Sequence, residues 1–161
     1  MTEAQLSNAM DAYGSTVYRL ALTRMQNIAD AEDVYQEVFL RLWKQAAEDW
    51  DGDRAKAWLI RTTLNRCADL HRFRLRRPVL SFAEIPDLAQ PEDESRELWE
   101  AVSRLPEKAR TAVHLYYAEG YSAEEISQLM HIPAATVRTR LHRARKQLKL
   151  SLIHISEPTR H

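Results

Sequence analysis

The segment 121–148 has the pattern of two short helices joined by a tight turn. Ser122 is followed three residues later by Glu125, and this pairing forms a capping box that begins a helix. After a short break, Pro133 suits the first turn of a second helix, because its missing N–H costs nothing there. Four apolar residues at spacings of four, three and four predict one buried face of that helix: Val137, Leu141, Ala144 and Leu148. The segment is therefore predicted to be a helix-turn-helix.

The second helix of this pair is strongly basic, with six cations and no anion in residues 138–149. An exposed cationic helix supported by a partner helix suits the major groove of DNA. The alternative is a solvated basic helix at the end of a bundle. Helical spacing predicts that Arg138 and Arg140 lie on the flanks of the buried face. It predicts that five residues lie opposite that face: Ala135, Thr139, His142, Arg143 and Lys146.

The rest of the chain also favours helices, since its 161 residues contain three glycines and no alternating apolar–polar runs. Charge is segregated along the chain, although the net charge is zero. Residues 61–77 carry six arginines against one aspartate, and residues 84–100 carry seven acids against one arginine. Two basic segments on either side of an acidic one indicate two polyanion-binding surfaces with a spacer between them.

Residues 1–77 are predicted to form an N-terminal bundle of three to four helices. Asp30 is expected to cap the second helix, and the third is expected to run from about Ala55 to Phe73. Trp58 and Cys67 are expected in the core of this bundle. The outer face of the third helix is predicted to carry four polar residues: Arg61, Asn65, Asp69 and Arg72.

Three prolines and an acidic composition predict a flexible linker at 78–93. Residues 94–149 are then predicted to form a second domain, and the whole chain is predicted to be all-α with two small helical domains. In the second domain one helix is expected to bury Leu98, Val102 and Leu105. Pro106 is expected to begin the next helix, which Gly120 ends. Residues 150–161 resemble the translation of a sequencing-library adaptor, so we expect them to be an artefact; the alternative is a natural frayed tail.

Asn65 is unusual on the predicted third helix, because asparagine is a poor residue for a helix interior. Its amide can offer both a donor and an acceptor to an exposed base edge. Trp50 and Phe73, near the two ends of this helix, are candidates for stacking on an unpaired base. Nearby arginines are candidates for holding phosphates: Arg61, Arg66, Arg72, Arg74, Arg76 and Arg77.

Three separated segments together resemble bacterial sigma factors of the extracytoplasmic-function type. Residues 30–43 (DAEDVYQEVFLRLW) are similar to the segment of that family that docks on the polymerase clamp helices. Residues 58–72 (WLIRTTLNRCADLHR) are similar to its reader of the −10 promoter element, and residues 105–148 to its reader of the −35 element. The likeness extends from about residue 10 to residue 148.

The resemblance implies a factor without catalysis of its own that directs RNA polymerase core to promoter DNA, and it implies roles for particular residues. Asp33, Gln36 and Glu37 are expected to contact polymerase, although the alternative from the residues alone is a solvated helix face. The expected −10 contacts are Trp50, Arg54, Lys56, Arg61, Asn65, Arg66, Arg72, Arg76 and Arg77. The expected −35 contacts are Thr136, Arg138, Thr139, Arg140, His142, Arg143 and Lys146.

Two positions depart from the family pattern. His131 stands at the turn of the helix-turn-helix, where the family often has glycine, and Tyr116 stands where many relatives have arginine. A left-handed backbone at the turn costs His131 some free energy, although histidine tolerates it better than a branched residue does. Sequence preference at the −35 element is therefore less predictable than DNA binding.

Further partners implied by the family are the polymerase flap and an anti-sigma factor. We expect no cofactor and no metal, since no histidine pair has ligand spacing with a cysteine. The single cysteine, the lack of an apolar run long enough for a membrane span and the lack of a signal-peptide pattern predict a cytoplasmic protein, associated with the nucleoid when bound to polymerase. The rival interpretation is a stand-alone helix-turn-helix regulator whose N-terminal bundle senses a ligand or dimerises.

Overall fold

The computed structural model describes residues 1–45, 52–73 and 93–153, with backbone alone for 93–96 and 151–153. Every regular element in these ranges is helical, which confirms the all-α prediction. The first three helices are α1 (Glu3–Met25), α2 (Ile28–Trp43) and α3 (Gly52–Phe73). The remaining four are α4 (Asp93–Ser103), α5 (Glu107–Val113), α6 (Ala123–Met130) and α7 (Ala134–Ile153).

The chain divides into two compact units, Met1–Ile85 and Pro86–His161. The division falls inside the predicted linker, most of which lies outside the described residues, so the limits 1–77, 78–93 and 94–149 remain predictions. The artefact prediction for 150–161 also remains a prediction, since α7 continues to Ile153 and residues 154–161 are outside the described part. No described helix combines the length and the apolar character needed to cross a membrane.

In the N-terminal unit, α1, α2 and α3 pack against one another in pairs. Their shared core includes Val17, Val38 and Leu59, all fully buried. Cys67 is also fully buried and Trp58 packs against this core, as predicted for both residues. A buried apolar stripe on each helix is the reason that three amphipathic helices form one bundle.

The cap of α2 differs from the prediction. Asn27, not Asp30, is the N-cap residue, and its Oδ1 accepts a hydrogen bond from the backbone N–H of Asp30 at 2.9 Å. Asparagine and aspartate cap helices about equally well, so residue preference alone could not choose between them. Asp30 instead lies in the first turn and is buried.

In the C-terminal unit, α7 is the central element, because α4, α5 and α6 all pack on it. Leu115, Ile126 and Val137 are fully buried in this unit. Val102 and Leu105 are buried as predicted, but Leu98 is 42% exposed, so its predicted place on the same buried face was wrong. The helical repeat of α4 put Leu98 on that stripe, but the packing surface of α4 does not extend back to it.

The helix predicted between Pro106 and Gly120 is not regular throughout. It begins after Pro106 as predicted, but after Val113 it widens into a π-helical turn, His114–Ala118. The backbone N–H of Glu119 donates to the carbonyl of His114 at 3.2 Å, which closes this wider turn. Gly120 then has φ +78°, so it ends the element with the left-handed backbone expected of glycine.

Candidate nucleic-acid and polymerase interfaces

The predicted helix-turn-helix is present as α6 and α7, and the capping box that begins α6 is complete. The N–H of Glu125 donates to Ser122 Oγ at 3.1 Å, and the N–H of Ser122 donates to Glu125 Oε1 at 2.9 Å. His131 ends α6 with φ 59° and ψ 46°, which is the left-handed conformation expected at the turn. Pro133 lies directly before α7 rather than in its first turn, and its carbonyl accepts from the N–H of Val137 at 3.1 Å.

The two sides of α7 separate as helical spacing predicts. Val137, Leu141 and Ala144 are at most 2% exposed, and Leu148 is half-buried. The opposite side carries the exposed residues Ala135, Thr139, His142, Arg143 and Lys146, while Thr136 and Arg140 are half-buried on a flank. Thr139, His142, Arg143 and Lys146 are called the cationic face below.

Two arginines of α7 are held by neighbours on other elements. Arg138 donates to Glu124 Oε2, on α6, at 2.7 Å. This hydrogen bond is the main cause that lowers the pKa of Glu124 below its ordinary value. Arg145 donates to the Tyr117 hydroxyl at 2.7 Å, and its guanidinium carbon lies 5.8 Å from the Tyr116 ring centroid. Tyr116, where many relatives have arginine, thus faces a cation of α7.

The exposed side of α3 carries the polar residues predicted there. Asn65 and Arg72 are exposed and Arg61 is half-buried, while Arg72 pairs with Asp69 one turn earlier. Phe73, at the end of α3, is 84% exposed, which leaves its ring accessible for the predicted stacking. Several predicted −10 contacts lie outside the described residues: Trp50, Arg76 and Arg77, together with the candidate phosphate contact Arg74.

The beginning of α3 is joined to α1. The Tyr13 hydroxyl donates to the carbonyl of Gly52 at 3.1 Å, which connects α1 to the first residue of α3. Arg54, exposed, and Lys56, half-buried, follow within the first turn and a half. Both predicted −10 contacts are therefore on the helix: Lys56 lies within the predicted range, and Arg54 is included because α3 begins three residues earlier than the predicted Ala55.

Arg66 is placed differently from its predicted neighbours on α3. Its Nη2 donates to Asp33 Oδ2, on α2, at 3.5 Å, and its side chain is 26% exposed. Its Nε is buried and has no hydrogen-bond partner in the part of the chain that the structure describes. A predicted −10 contact and a predicted polymerase contact are therefore joined in one ion pair.

One face of α2 presents the three predicted polymerase contacts, of which Asp33 and Gln36 are exposed and Glu37 is half-buried. Glu37 accepts from Arg41 Nε at 3.0 Å, one turn further along the helix. Leu40 and Trp43 continue the same face and are 47% and 39% exposed. Sequence reasoning missed these two, although helical spacing would have indicated them, since Leu40 lies four residues after Gln36 and Trp43 three residues after Leu40. Asp33, Gln36, Glu37, Leu40 and Trp43 are called the α2 face below.

No group of three or more histidine, cysteine, aspartate or glutamate side chains arranged for a metal ion occurs among the described residues. The α2 face, α3 and α7 each expose charged side chains, and Trp43 and Phe73 are exposed aromatic residues on α2 and α3. The arrangement is that of a two-unit helical protein with a basic helix-turn-helix in its C-terminal unit.

Comparison with known proteins agrees with this description. The family "Sigma-70 region 2" matches residues 9–77, and the family "Sigma-70, region 4" matches residues 95–148. The ECF RNA polymerase sigma factor SigL of Mycobacterium tuberculosis is 31% identical, over 93% of this chain and 90% of its own length. SigW of Bacillus subtilis is 29% identical, over 91% and 88%, and SigE of Mycolicibacterium smegmatis is 34% identical, over 91% of this chain. This chain spans 61% of the length of SigE.

Two solved structures share the fold. The sigma factor RpoE of Bartonella quintana, solved in complex with the anti-sigma factor NepR, has a TM-score of 0.78, with 22% identity over 95% of this chain and 99% of that one. CnrH, solved in complex with the cytosolic domain of CnrY, has a TM-score of 0.67, with 25% identity over 96% and 92%. The chain belongs to the extracytoplasmic-function group of the sigma-70 family of RNA polymerase sigma factors. This membership does not favour the stand-alone regulator.

Proposed function

We propose that this chain directs RNA polymerase core to specific promoters and initiates transcription there, without catalysis of its own. The observation that carries the proposal is that each unit exposes a nucleic-acid-binding candidate on a helix: Asn65 on α3, and the cationic face on α7. The matches to region 2 and region 4 of the sigma-70 family cover these same two helices. In this role the chain acts in the cytoplasm, at the nucleoid when it is bound to polymerase.

The α2 face binds the clamp helices of polymerase. Asp33, Gln36 and Glu37 supply charge and hydrogen-bonding groups that orient the partner and speed its association. Leu40 and Trp43 supply apolar area, and an exposed tryptophan is the residue type most often found at the energetic centre of an interface. Acidic residues beside apolar ones on one helix fit a partner that is basic around an apolar groove.

The α3 helix recognises and melts the −10 element. Asn65 contacts an exposed base edge and Arg61 holds a phosphate beside it, while Arg72, which is paired with Asp69, lies next to this contact on the same side of α3. Phe73 can stack on an unpaired base because 84% of its surface is free. Trp50, Arg54, Lys56, Arg66, Arg76 and Arg77 complete the proposed −10 surface.

The α7 helix enters the major groove at the −35 element. Thr139, His142 and Arg143 are exposed on the side of α7 that faces away from the core of its own unit. Lys146 continues the same exposed side, Thr136, Arg138 and Arg140 flank it, and these four residues contact bases or phosphates. Helices α4, α5 and α6 pack on α7 and leave this side of it exposed.

The predicted linker 78–93 contains four acidic residues and no lysine or arginine, which is the charge expected of a connector that avoids DNA. It passes through polymerase while the C-terminal unit contacts the flap. An anti-sigma factor is a further proposed partner, supported by the fold shared with two chains solved in complex with other proteins.

Run-off transcription with purified core enzyme and a random promoter library tests this proposal. We expect the full chain to select promoters with defined −35 and −10 elements, and core enzyme alone to select none. Asn65→Ala should weaken selection at the −10 element only, whereas Asn8→Ala, an exposed asparagine on α1, is the matched control and should change nothing. Failure of the full chain to bind core enzyme or to start transcripts at any site would refute the proposal.

A further inference from the structure

Glu124 and Arg138 form an ion pair on the surface of the helix-turn-helix. Glu124 is the second residue of α6, and Arg138 lies on a flank of α7, fourteen residues later. Arg138 Nη1 is 2.7 Å from Glu124 Oε2, a distance typical of a strong charge-assisted hydrogen bond. The two side chains are 57% and 68% exposed, so both are accessible to a nucleic acid.

We propose that Glu124 determines the specificity of DNA binding in two ways. Its negative charge weakens the attraction of Arg138 to phosphates, and its hydrogen bond orients the Arg138 guanidinium toward a base edge. This inference rests on the proposed function of α7 as the reader of the −35 element. Glu124 acts through Arg138 and is a positioning residue, because the carboxylate itself need not touch DNA.

An unpaired arginine near DNA binds phosphates without regard to the base sequence. Its charge attracts any phosphate, and each phosphate contact adds sequence-independent affinity that salt weakens. A carboxylate at hydrogen-bond distance cancels most of that charge beyond a few ångströms, so the pair gains little from an arbitrary phosphate. Arg138 thus contributes little to non-specific binding.

The guanidinium keeps other donors for a base. Arginine has five N–H donors in a rigid fork, and the bond to Glu124 is made by Nη1. Binding of guanine by arginine needs two parallel donors aimed at O6 and N7, and it depends on the orientation of the fork. A partner on another helix restricts that orientation before DNA binds, which lowers the entropy lost in the specific complex.

The other cations of α7 provide the contrast. Arg143 and Lys146 are exposed and form no ion pair with another described residue, so they suit generic phosphate binding. Arg145 is held by the Tyr117 hydroxyl, which is neutral, so its charge remains in full. Within the described part of α7, the carboxylate partner distinguishes Arg138 from these three.

Glu125 offers a matched control. It is adjacent to Glu124, is also exposed, and carries the same charge near the beginning of α6. Its side chain is engaged in the capping box with Ser122, which glutamine at the same position also forms. Glu124→Gln and Glu125→Gln therefore remove the same charge from neighbouring positions, but only the first removes the negative charge that compensates Arg138.

The test measures binding of polymerase holoenzyme, formed with each variant, to non-specific duplex DNA and to a −35-containing promoter across a range of salt concentrations. With Glu124→Gln we expect tighter non-specific binding and a salt slope steeper by about 0.9, equivalent to roughly a threefold larger loss of affinity between about 50 and 200 mM salt. The preference for the −35 element should fall by a similar factor. Glu125→Gln should change the slope by much less.

Arg138 variants separate positioning from a merely structural role. Arg138→Gln should leave the non-specific salt slope almost unchanged in the wild-type background, but should lower it by about 0.9 in the Glu124→Gln background. Arg138→Lys should keep the charge and lose base discrimination, because lysine lacks the fork. An equal effect of Arg138→Gln in both backgrounds, or equal effects of Glu124→Gln and Glu125→Gln, would overturn the proposal.

These outcomes are distinguishable from failure of the proposed function. If wild-type holoenzyme shows no preference for any −35 sequence, the function assigned to α7 is wrong, whatever the slopes are. If the preference is present and the slopes do not depend on Glu124, the function stands and the inference about Glu124 is wrong. Thermal unfolding of each variant is the control for folding, and we expect no loss of the fold because both side chains are exposed.

Discussion

Replacing His131 by glycine should stabilise the C-terminal unit, because His131 holds a backbone conformation that costs most residues free energy. It caps the end of α6 with φ 59° and ψ 46°, and its N–H donates to the carbonyl of Ser127. The left-handed conformation costs a residue with a Cβ about 1–2 kcal/mol, while glycine loses about 0.5–1 kcal/mol more backbone entropy on folding. His131 is exposed, so little packing is lost. The expected net stabilisation is about 0.5–1 kcal/mol.

Amide hydrogen exchange of α6 and α7 in the full chain measures this change in the free energy of unfolding. The Tm of the C-terminal unit should rise by roughly 2–8 °C. His131→Ala is the control, since it removes the imidazole but keeps the Cβ and the strain. Gln26→Gly is a second test, because Gln26 caps α1 with φ 50° and ψ 40°. Stabilisation by His131→Ala equal to that by His131→Gly would refute the reasoning, because backbone strain could not then be the cause.

Four further outcomes are expected. Leu141→Ala should destabilise the C-terminal unit by about 2–5 kcal/mol, measured by the same exchange experiment, because Leu141 is 2% exposed in its core. Arg143→Ala should weaken DNA binding by holoenzyme and make its salt slope shallower by about 0.9, and an unchanged slope would contradict a phosphate contact. Trp43→Ala should weaken binding of core enzyme by about 30-fold, as for an interface residue worth about 2 kcal/mol, with promoter preference unchanged once the complex forms. Arg138 lowers the pKa of Glu124, so the stability that this pair contributes should be complete above the ordinary glutamate pKa and should be lost as pH falls through the lowered pKa of the folded state. NMR titration of the Glu124 carboxyl measures that pKa, and Arg138→Gln should raise it.

Several features that depend on neighbours within about one helical turn were predictable from the sequence, although the choice between Asn27 and Asp30 as the cap of α2 was not. The capping box needs only Ser122 and Glu125. The left-handed backbone at His131 was expected from the family resemblance, because the family often has glycine at this position. The buried stripe of α7 follows from the helical repeat, which decides the exposed face at the same time. The spacing of residues along α7 is therefore sufficient to predict its candidate DNA surface.

Features that depend on packing were not predictable in this way. Leu98 fits the helical repeat of α4 but lies beyond the surface that its neighbours cover. The widening of the helix after Val113 has no local signal comparable to a proline or a glycine. The pair between Asp33 and Arg66 joins residues 33 positions apart, and only the contact of α2 with α3 brings them together.

Counting the charged residues of a basic helix in its sequence overestimates the positive charge that the folded helix presents to DNA. Residues 138–149 contain six cations, and the count treats them as equal. The fold makes them unequal, since Arg138 pairs with a carboxylate on α6 and Arg145 with a phenol hydroxyl of the π-helical turn. An arginine beside a carboxylate gains little from an arbitrary phosphate, whereas exposed Arg143 gains fully. The sequence therefore predicts that α7 binds DNA, but which of its cations supply affinity and which supply specificity depends on the partners that the tertiary fold provides.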